Sequence, residues 1–324
     1  MTMTFQCRPC QLLFALALAA ALPGCSDKPA EPPAAAQTLA APISIEHKLG
    51  RTLISQRPQR VAVLDMNEAD FLDQLGVPIA GMVKDYVPHF LARYKDAAQV
   101  QDLGAIVQPN LERLHALKPD LILMTPLQAQ HYQELSEIAP SLHYDVDFGN
   151  SQGRHIAVLK QHLLDLGRIF GREELAERRA AELEARLAQA RRVTAGRPEK
   201  ALIVLHNNGA FSSFGPQSRY GFVFDALGVQ PAGQAAESGL HGQPISSEFI
   251  QQADPDILYV VDRTAVMERR PVMDAERMAN PLLRQTKAWK SGRVVFVDAD
   301  AWYITAASLS SLHIVINDVL KGYQ

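Results

Sequence analysis

The chain has 324 residues, 47% hydrophobic and 21% charged, with a formal net charge of −3. That length supports two domains with real cores, the composition is that of an ordinary globular protein, and the missing basic excess argues against a nucleic-acid partner. All three cysteines, Cys7, Cys10 and Cys25, lie at the N-terminus, so the body has no disulfide, thiolate metal site or cysteine nucleophile.

Residues 11–22, QLLFALALAAAL, are an apolar run behind Arg8, too short to span a bilayer comfortably and suited to a signal-peptide core. It ends in Leu22-Pro23-Gly24-Cys25, similar to a bacterial lipobox, which implies a lipidated Cys25 as the mature N-terminus. The alternative is ordinary secretory cleavage with Cys25 incidental. Residues 28–42 are rich in Pro and Ala and read as a tether.

The body reads as two copies of one plan. Arg57-Pro58-Gln59-Arg60 precedes VAVLD, and Arg197-Pro198-Glu199-Lys200 precedes ALIVL, each predicting a buried parallel strand. Asp73-Gln74-Leu75-Gly76-Val77 and Asp225-Ala226-Leu227-Gly228-Val229 predict helices stopped by a left-handed glycine. Glu112 lies seven residues before Pro119-Asp120 and LILM, and Glu248 seven before Pro255-Asp256 and ILYV, so short helices end before proline and feed strands. Three echoes in one order argue for two α/β lobes.

Between the copies, Ile156, Leu159, Leu163, Leu166 and Phe170 recur at helical spacing; Gly171 interrupts; Ala176, Ala180, Leu183, Leu187 and Ala190 resume. Glu173, Arg178, Glu182 and Arg186 on the other faces read as a solvated surface. The second segment spans about 30 Å at ~1.5 Å per residue, enough for a rigid spine that permits little hinge motion. The expected organisation is a signal peptide (1–24), a lipid anchor and tether (25–42), an N-terminal lobe (43–171), a spine helix (172–195) and a C-terminal lobe (196–324). The sheets are mainly parallel and a ligand cleft lies between the lobes.

Seven segments carry a family resemblance: IEHKLG (45–50), RVAVLDMNEADFLDQLGV (60–77), LERLHALKPDLIL (111–123), FGPQSRYGFVFDALG (214–228), HGQPISSEFI (241–250), DILYVVDR (256–263) and WYITAASLSSL (302–312). Over roughly residues 43–322 the chain resembles the siderophore-binding members of the helical-backbone periplasmic binding proteins, a class that also holds vitamin B12 and haem carriers. It is most similar to the catecholate and petrobactin-like branch. The resemblance implies an ABC-importer binding protein that carries a ferric siderophore and has no intrinsic cofactor. It would act as a monomer, lipid-anchored in the periplasm or at the cell surface, and serve a permease in the inner membrane.

Anionic chelates need cations, and arginine supplies a permanent charge on a planar fork. The resemblance places Arg219 and Arg263 in the cleft. A third family arginine appears here as Leu127, implying a less charged or differently shaped ligand, with Gln128, Gln130 and His131 as polar neighbours. His241 and Tyr303 are the family positions that complete Fe³⁺ coordination around a tetradentate chelate; with a hexadentate one they would only hydrogen-bond. Tyr220, Trp302, Tyr86 and Phe214 are candidate aromatic walls, against the alternative of core packing. Glu112 and Glu248 match the family's permease-docking carboxylates, although each also suits the positive start of its helix.

The chain has no GxSxG, HExxH, P-loop or GxGxxG motif, which argues against an enzyme. Its ten scattered histidines do not suggest a divalent-metal carrier. A haem or cobalamin carrier on the same fold is the alternative function.

Overall fold

The computed structural model describes residues 38–148, 153–233, 242–271 and 273–324. Cys25 and His241 lie outside the described residues, as do the expected signal peptide and most of the tether. Residues 38–42, assigned from sequence to the tether, instead open strand β1 (Thr38–His47), because their backbone pairs in a hairpin with β2 (Gly50–Gln56).

The N-terminal sheet is entirely parallel, in the order β5-β4-β3-β8-β9: β3 is Val61–Val63, β4 Gly81–Met82, β5 Gln101–Asp102, β8 Leu121–Met124 and β9 Ser141–His143. A small hairpin, β6 (Gly104–Ala105) and β7 (Gln108–Pro109), projects beside it. Helices α1 (Met66–Gln74), α2 (Leu111–Leu117) and α3 (Tyr132–Ile138) flank this sheet.

The C-terminal sheet is mixed, in the order β13-β11-β10-β14-β15, with β12 also on β10. Here β10 is Lys200–Asn207, β11 Ala210–Phe214, β12 Gln230–Pro231, β13 Gln243–Ile245, β14 Ile257–Asp262 and β15 Val294–Phe296. Strands β10, β12, β14 and β15 pair in parallel, whereas β11 and β13 are antiparallel.

The Pro-Asp echo has a physical cause. Asp120 accepts the N–H groups of Gln59 (2.7 Å) and Arg60 (2.8 Å), and Asp256 accepts that of Lys200 (2.9 Å). Each carboxylate thus pins the start of the neighbouring strand. Before each, α2 and α7 (Ser247–Ala253) end on left-handed residues, Lys118 and Asp254.

Two helices bridge the sheets, where the sequence reading has one. Helix α4 (His155–Phe170) begins with His155 against Phe222 of α6 (Gly221–Asp225), passes Glu68 of α1, and ends at Gly171 beside Arg57. Helix α5 (Glu173–Thr194) returns, and its end donates to the C-terminal lobe through Thr194 to the Leu227 carbonyl and Arg191 to that of Asp225. The reversal needs Gly171, whose φ of +63° is left-handed and which lies against the Arg57 guanidinium. Gly167 of α4 lies against Ala176 of α5 too closely for a side chain, so the pair packs tightly.

Beyond β14 come α8 (Arg263–Glu268), the single turns α9 (Ala275–Met278) and α10 (Lys287–Lys290), and a π-helical turn, Asp300–Thr305. Helix α11 (Leu309–Lys321) then crosses back, with Ser310 donating from N–H (2.7 Å) and hydroxyl (2.6 Å) to Asp70 of α1. One apolar core runs from β3 and β8 through α4, α5 and α11 to Ile203, Leu205, Tyr259 and Val261; a second covers the opposite C-terminal face with Leu202, Val204, Leu258 and Val260. A core shared by α4, α5 and the returning α11 resists wide opening of the lobes.

Candidate ligand-binding cleft

Strands of α/β lobes present their carboxyl ends to ligands. Here β3 and β8 deliver Asp65 and Thr125, β14 delivers Arg263, and a cavity of about 400 Å³ opens between them. Its C-terminal wall includes Arg219, Arg263, Met267, Tyr303 and Ile304, and its N-terminal wall includes Tyr86, Ile106, Val107, Leu127 and Phe148.

Arg219 is 6% exposed. Its Nη2 donates to the Tyr303 carbonyl (2.9 Å), and its guanidinium lies over Phe148, Tyr220 and Tyr303 at 5.3–5.6 Å. Among the described residues its Nε has no hydrogen-bond partner. Arg263 donates from Nε to the Tyr303 hydroxyl (2.6 Å) and from Nη1 to Asn207 Oδ1 (2.9 Å). The adjacent Asp262 forms no ion pair with it; its carboxylate meets the ring of buried His206 (2.9 Å) and accepts the N–H of Met273 (2.8 Å). Among the described residues neither cleft arginine forms an ion pair. A buried cation such as Arg219 is costly without a counter-ion, and half-buried Arg263 adds a second positive charge, so the wall is poised for an anion.

Asp65 is the carboxyl on the opposite wall. It caps α1 by accepting the N–H of Asn67 (2.8 Å), and it also accepts the Thr125 hydroxyl (3.1 Å). Burial pushes it up to about 6, with nearby Glu68 adding to the rise while these hydrogen bonds oppose it. Asp145, also on the cavity, is paired with Lys48 at 2.7 Å.

The seam beside the cavity is hydrogen-bonded. Tyr144 donates to the Ala307 carbonyl (2.9 Å), Ala307 donates to Asn67 (3.1 Å), and the His89 ring meets Asp298 (2.7 Å). His155 sits behind Arg219, and burial pulls it down to about 4, with the Arg219 charge adding to the drop.

Of the residues named from sequence, Arg219, Arg263, Tyr303, Leu127 and Tyr86 meet at this cavity. Four others do not. Trp302 is fully buried and donates to Asp318 (3.0 Å), whereas its neighbour Tyr303 lines the cavity. Tyr220 is fully buried, donating to the Trp302 carbonyl (2.9 Å), and Phe214 packs against it in the core. Gln128 is buried inside its own turn, accepting the Thr125 N–H (2.9 Å) and donating to the Ile106 carbonyl (2.5 Å). Gln130 and His131 bond each other and Glu134 away from the cavity. Glu112 and Glu248 are exposed, each the second residue of its short helix. Asp65, Phe148 and the Ile106–Val107 pair were not anticipated, although Asp65 ends the VAVLD strand, where such sites form.

No group of three or more His, Cys, Asp or Glu among the described residues could hold a metal ion. The periplasmic binding protein family model matches residues 61–301. The chain is 64% identical over 303 residues, 94% of each sequence, to the ferric-anguibactin-binding protein FatB of Vibrio anguillarum (strain ATCC 68554 / 775). It is 31% identical to the petrobactin-binding protein YclQ of Bacillus subtilis (strain 168), over 87% of this chain and 88% of that one. Among solved structures, the siderophore-binding protein BauB, bound to a complex between two acinetobactin molecules and ferric iron, superposes with a TM-score of 0.84 at 67% identity, covering 87% of this chain and 99% of that one.

Proposed function

This chain belongs to the periplasmic binding protein family, and we propose that it captures a ferric siderophore in the inter-lobe cavity and delivers it to an ABC permease without chemical turnover. The observation that carries this reading is the pair Arg219 and Arg263, two cations that form no ion pair among the described residues and line one cavity. A catecholate-type ferric chelate supplies the missing negative charge, and Phe148 and Tyr303 offer it faces to pack on. The functions printed for FatB, YclQ and BauB support the same ligand class.

In this reading Tyr303 supplies a hard oxygen to open positions on iron in a tetradentate complex, and His241 supplies the other donor. Glu112 and Glu248, at equivalent positions in the two lobes, meet cations on the permease. Lipidated Cys25 tethers the protein, which acts as a single chain at the periplasmic or outer face of the membrane.

Titration of tryptophan fluorescence with ferric siderophores, their iron-free forms, haem and cobalamin tests the assignment. Tight binding confined to ferric siderophores is expected. Binding of cobalamin or haem alone would overturn it.

A further inference from the structure

The two walls of the cavity differ in kind. Its permanent cations unpaired with carboxylates, Arg219 and Arg263, both belong to the C-terminal wall. Opposite them, Ile106, Val107 and Leu127 form an apolar lip. Val107 is 56% exposed and Leu127 38%, two of four large hydrophobic residues standing exposed among those described, and both border this cavity. Such a patch marks a surface that a ligand covers.

The lip is held in place. Val107 sits at the tip of the β6–β7 hairpin, and Leu127 in the turn after β8. Buried Gln128 joins them through Thr125 N–H and the Ile106 carbonyl, while Asp85 accepts the Ile106 N–H at 3.1 Å. Gln128 is therefore a positioning residue for the lip.

We propose, building on the ferric-siderophore reading, that the cavity selects a ferric chelate of low net negative charge with an aromatic or apolar outer face, and that Leu127 sets this preference. A ferric ion held by two catecholates is singly negative; one held by three is triply negative. Two arginines opposed by Asp65 balance the first. The second brings uncompensated charge into a desolvated site against aliphatic side chains. The rings of a singly negative complex pack on Ile106, Val107 and Leu127 and displace water from them.

The test titrates purified protein with two synthetic hexadentate probes of equal denticity, the ferric complexes of a chelator carrying one catechol and two hydroxamates (singly negative) and of a tris-catechol chelator (triply negative). The wild type is expected to bind the singly negative probe about tenfold or more tightly than the triply negative one, a difference on the scale of one well-placed charge. Leu127→Arg is expected to shift that ratio about tenfold toward the triply negative probe, and Leu127→Gln, polar but uncharged, to leave it nearly unchanged. Equal or inverted preference in the wild type, or an unshifted ratio in Leu127→Arg, would overturn the proposal while leaving the siderophore reading standing. Binding of neither probe would overturn both.

Discussion

Arg263 donates its Nε–H to the Tyr303 hydroxyl over 2.6 Å, fixing a phenol at the cavity under a permanent positive charge. The Tyr303 carbonyl is held from the other side by Arg219. The ring therefore cannot swing freely, and its oxygen is held in place at the cavity.

Tyr303→Phe keeps the ring and removes the oxygen. It is expected to weaken binding of tetradentate ferric siderophores about tenfold, the scale of one charge-assisted hydrogen bond or a lost ligand, and hexadentate ones much less. Equilibrium titration reads both; equal affinity of variant and wild type for every chelate removes Tyr303 from coordination.

Asp65 makes ligand capture depend on pH. With its proton held up to about 6, it is mostly ionised at neutral pH and opposes an anionic ligand. As pH falls through about 6 it is protonated, so affinity for a kinetically stable anionic chelate rises. Asp65→Asn retains the α1 cap, and is expected to bind several-fold more tightly at about pH 7.5 and to lose the pH step. A pH profile of the dissociation constant that is identical in both proteins would exclude this role.

His155 acts on stability with the opposite sign. Its unfolded-state pKa is 6.5 and burial lowers the folded value to about 4, so between these the unfolded chain takes up a proton that the native state refuses. Stability is therefore complete above about pH 6.5 and is lost as pH falls toward 4, by about 3 kcal/mol for this residue. Asp65 partly offsets the loss, and buried His143, also lowered to about 4, adds to it. His155→Phe loses the hydrogen bond to Ala306, about 1 kcal/mol at neutral pH, but should flatten the acid limb. Urea unfolding at about pH 7.5 and 5 measures the difference; an unchanged acid limb contradicts it.

The docking proposal separates capture from delivery. Glu112→Ala combined with Glu248→Ala should leave siderophore affinity within about twofold, since both residues are exposed and away from the cavity, and reduce import about tenfold or more. Uptake of labelled iron by cells carrying only the double variant reads this; normal uptake refutes it.

The fold was legible where backbone constraints leave marks in sequence. The Pro-Asp pairs show because Asp120 and Asp256 must pin neighbouring strands, and Gly76 and Gly228 because a left-handed turn follows each helix. The arginines stood out as charges at strand and loop ends. Side-chain direction was not legible: Trp302 and Tyr303 are neighbours on one π-helical turn, yet Trp302 lies in the core and Tyr303 lines the cavity. Gln128 was expected to contact the ligand and is instead a buried brace. The second bridging helix was missed because the periodicity of α4 shows an apolar face without showing that its two ends touch different sheets.

The central claim is that Arg219 and Arg263 together hold an anionic ferric chelate. The most direct measurement is a fluorescence titration of Arg219→Gln/Arg263→Gln against wild type with one ferric catecholate siderophore, using Trp302 beside the cleft as reporter. The double variant should bind at least about a hundredfold more weakly, two lost charge-assisted contacts, and show a shallower salt dependence. Unchanged affinity and an unchanged salt profile in a folded double variant would contradict the account.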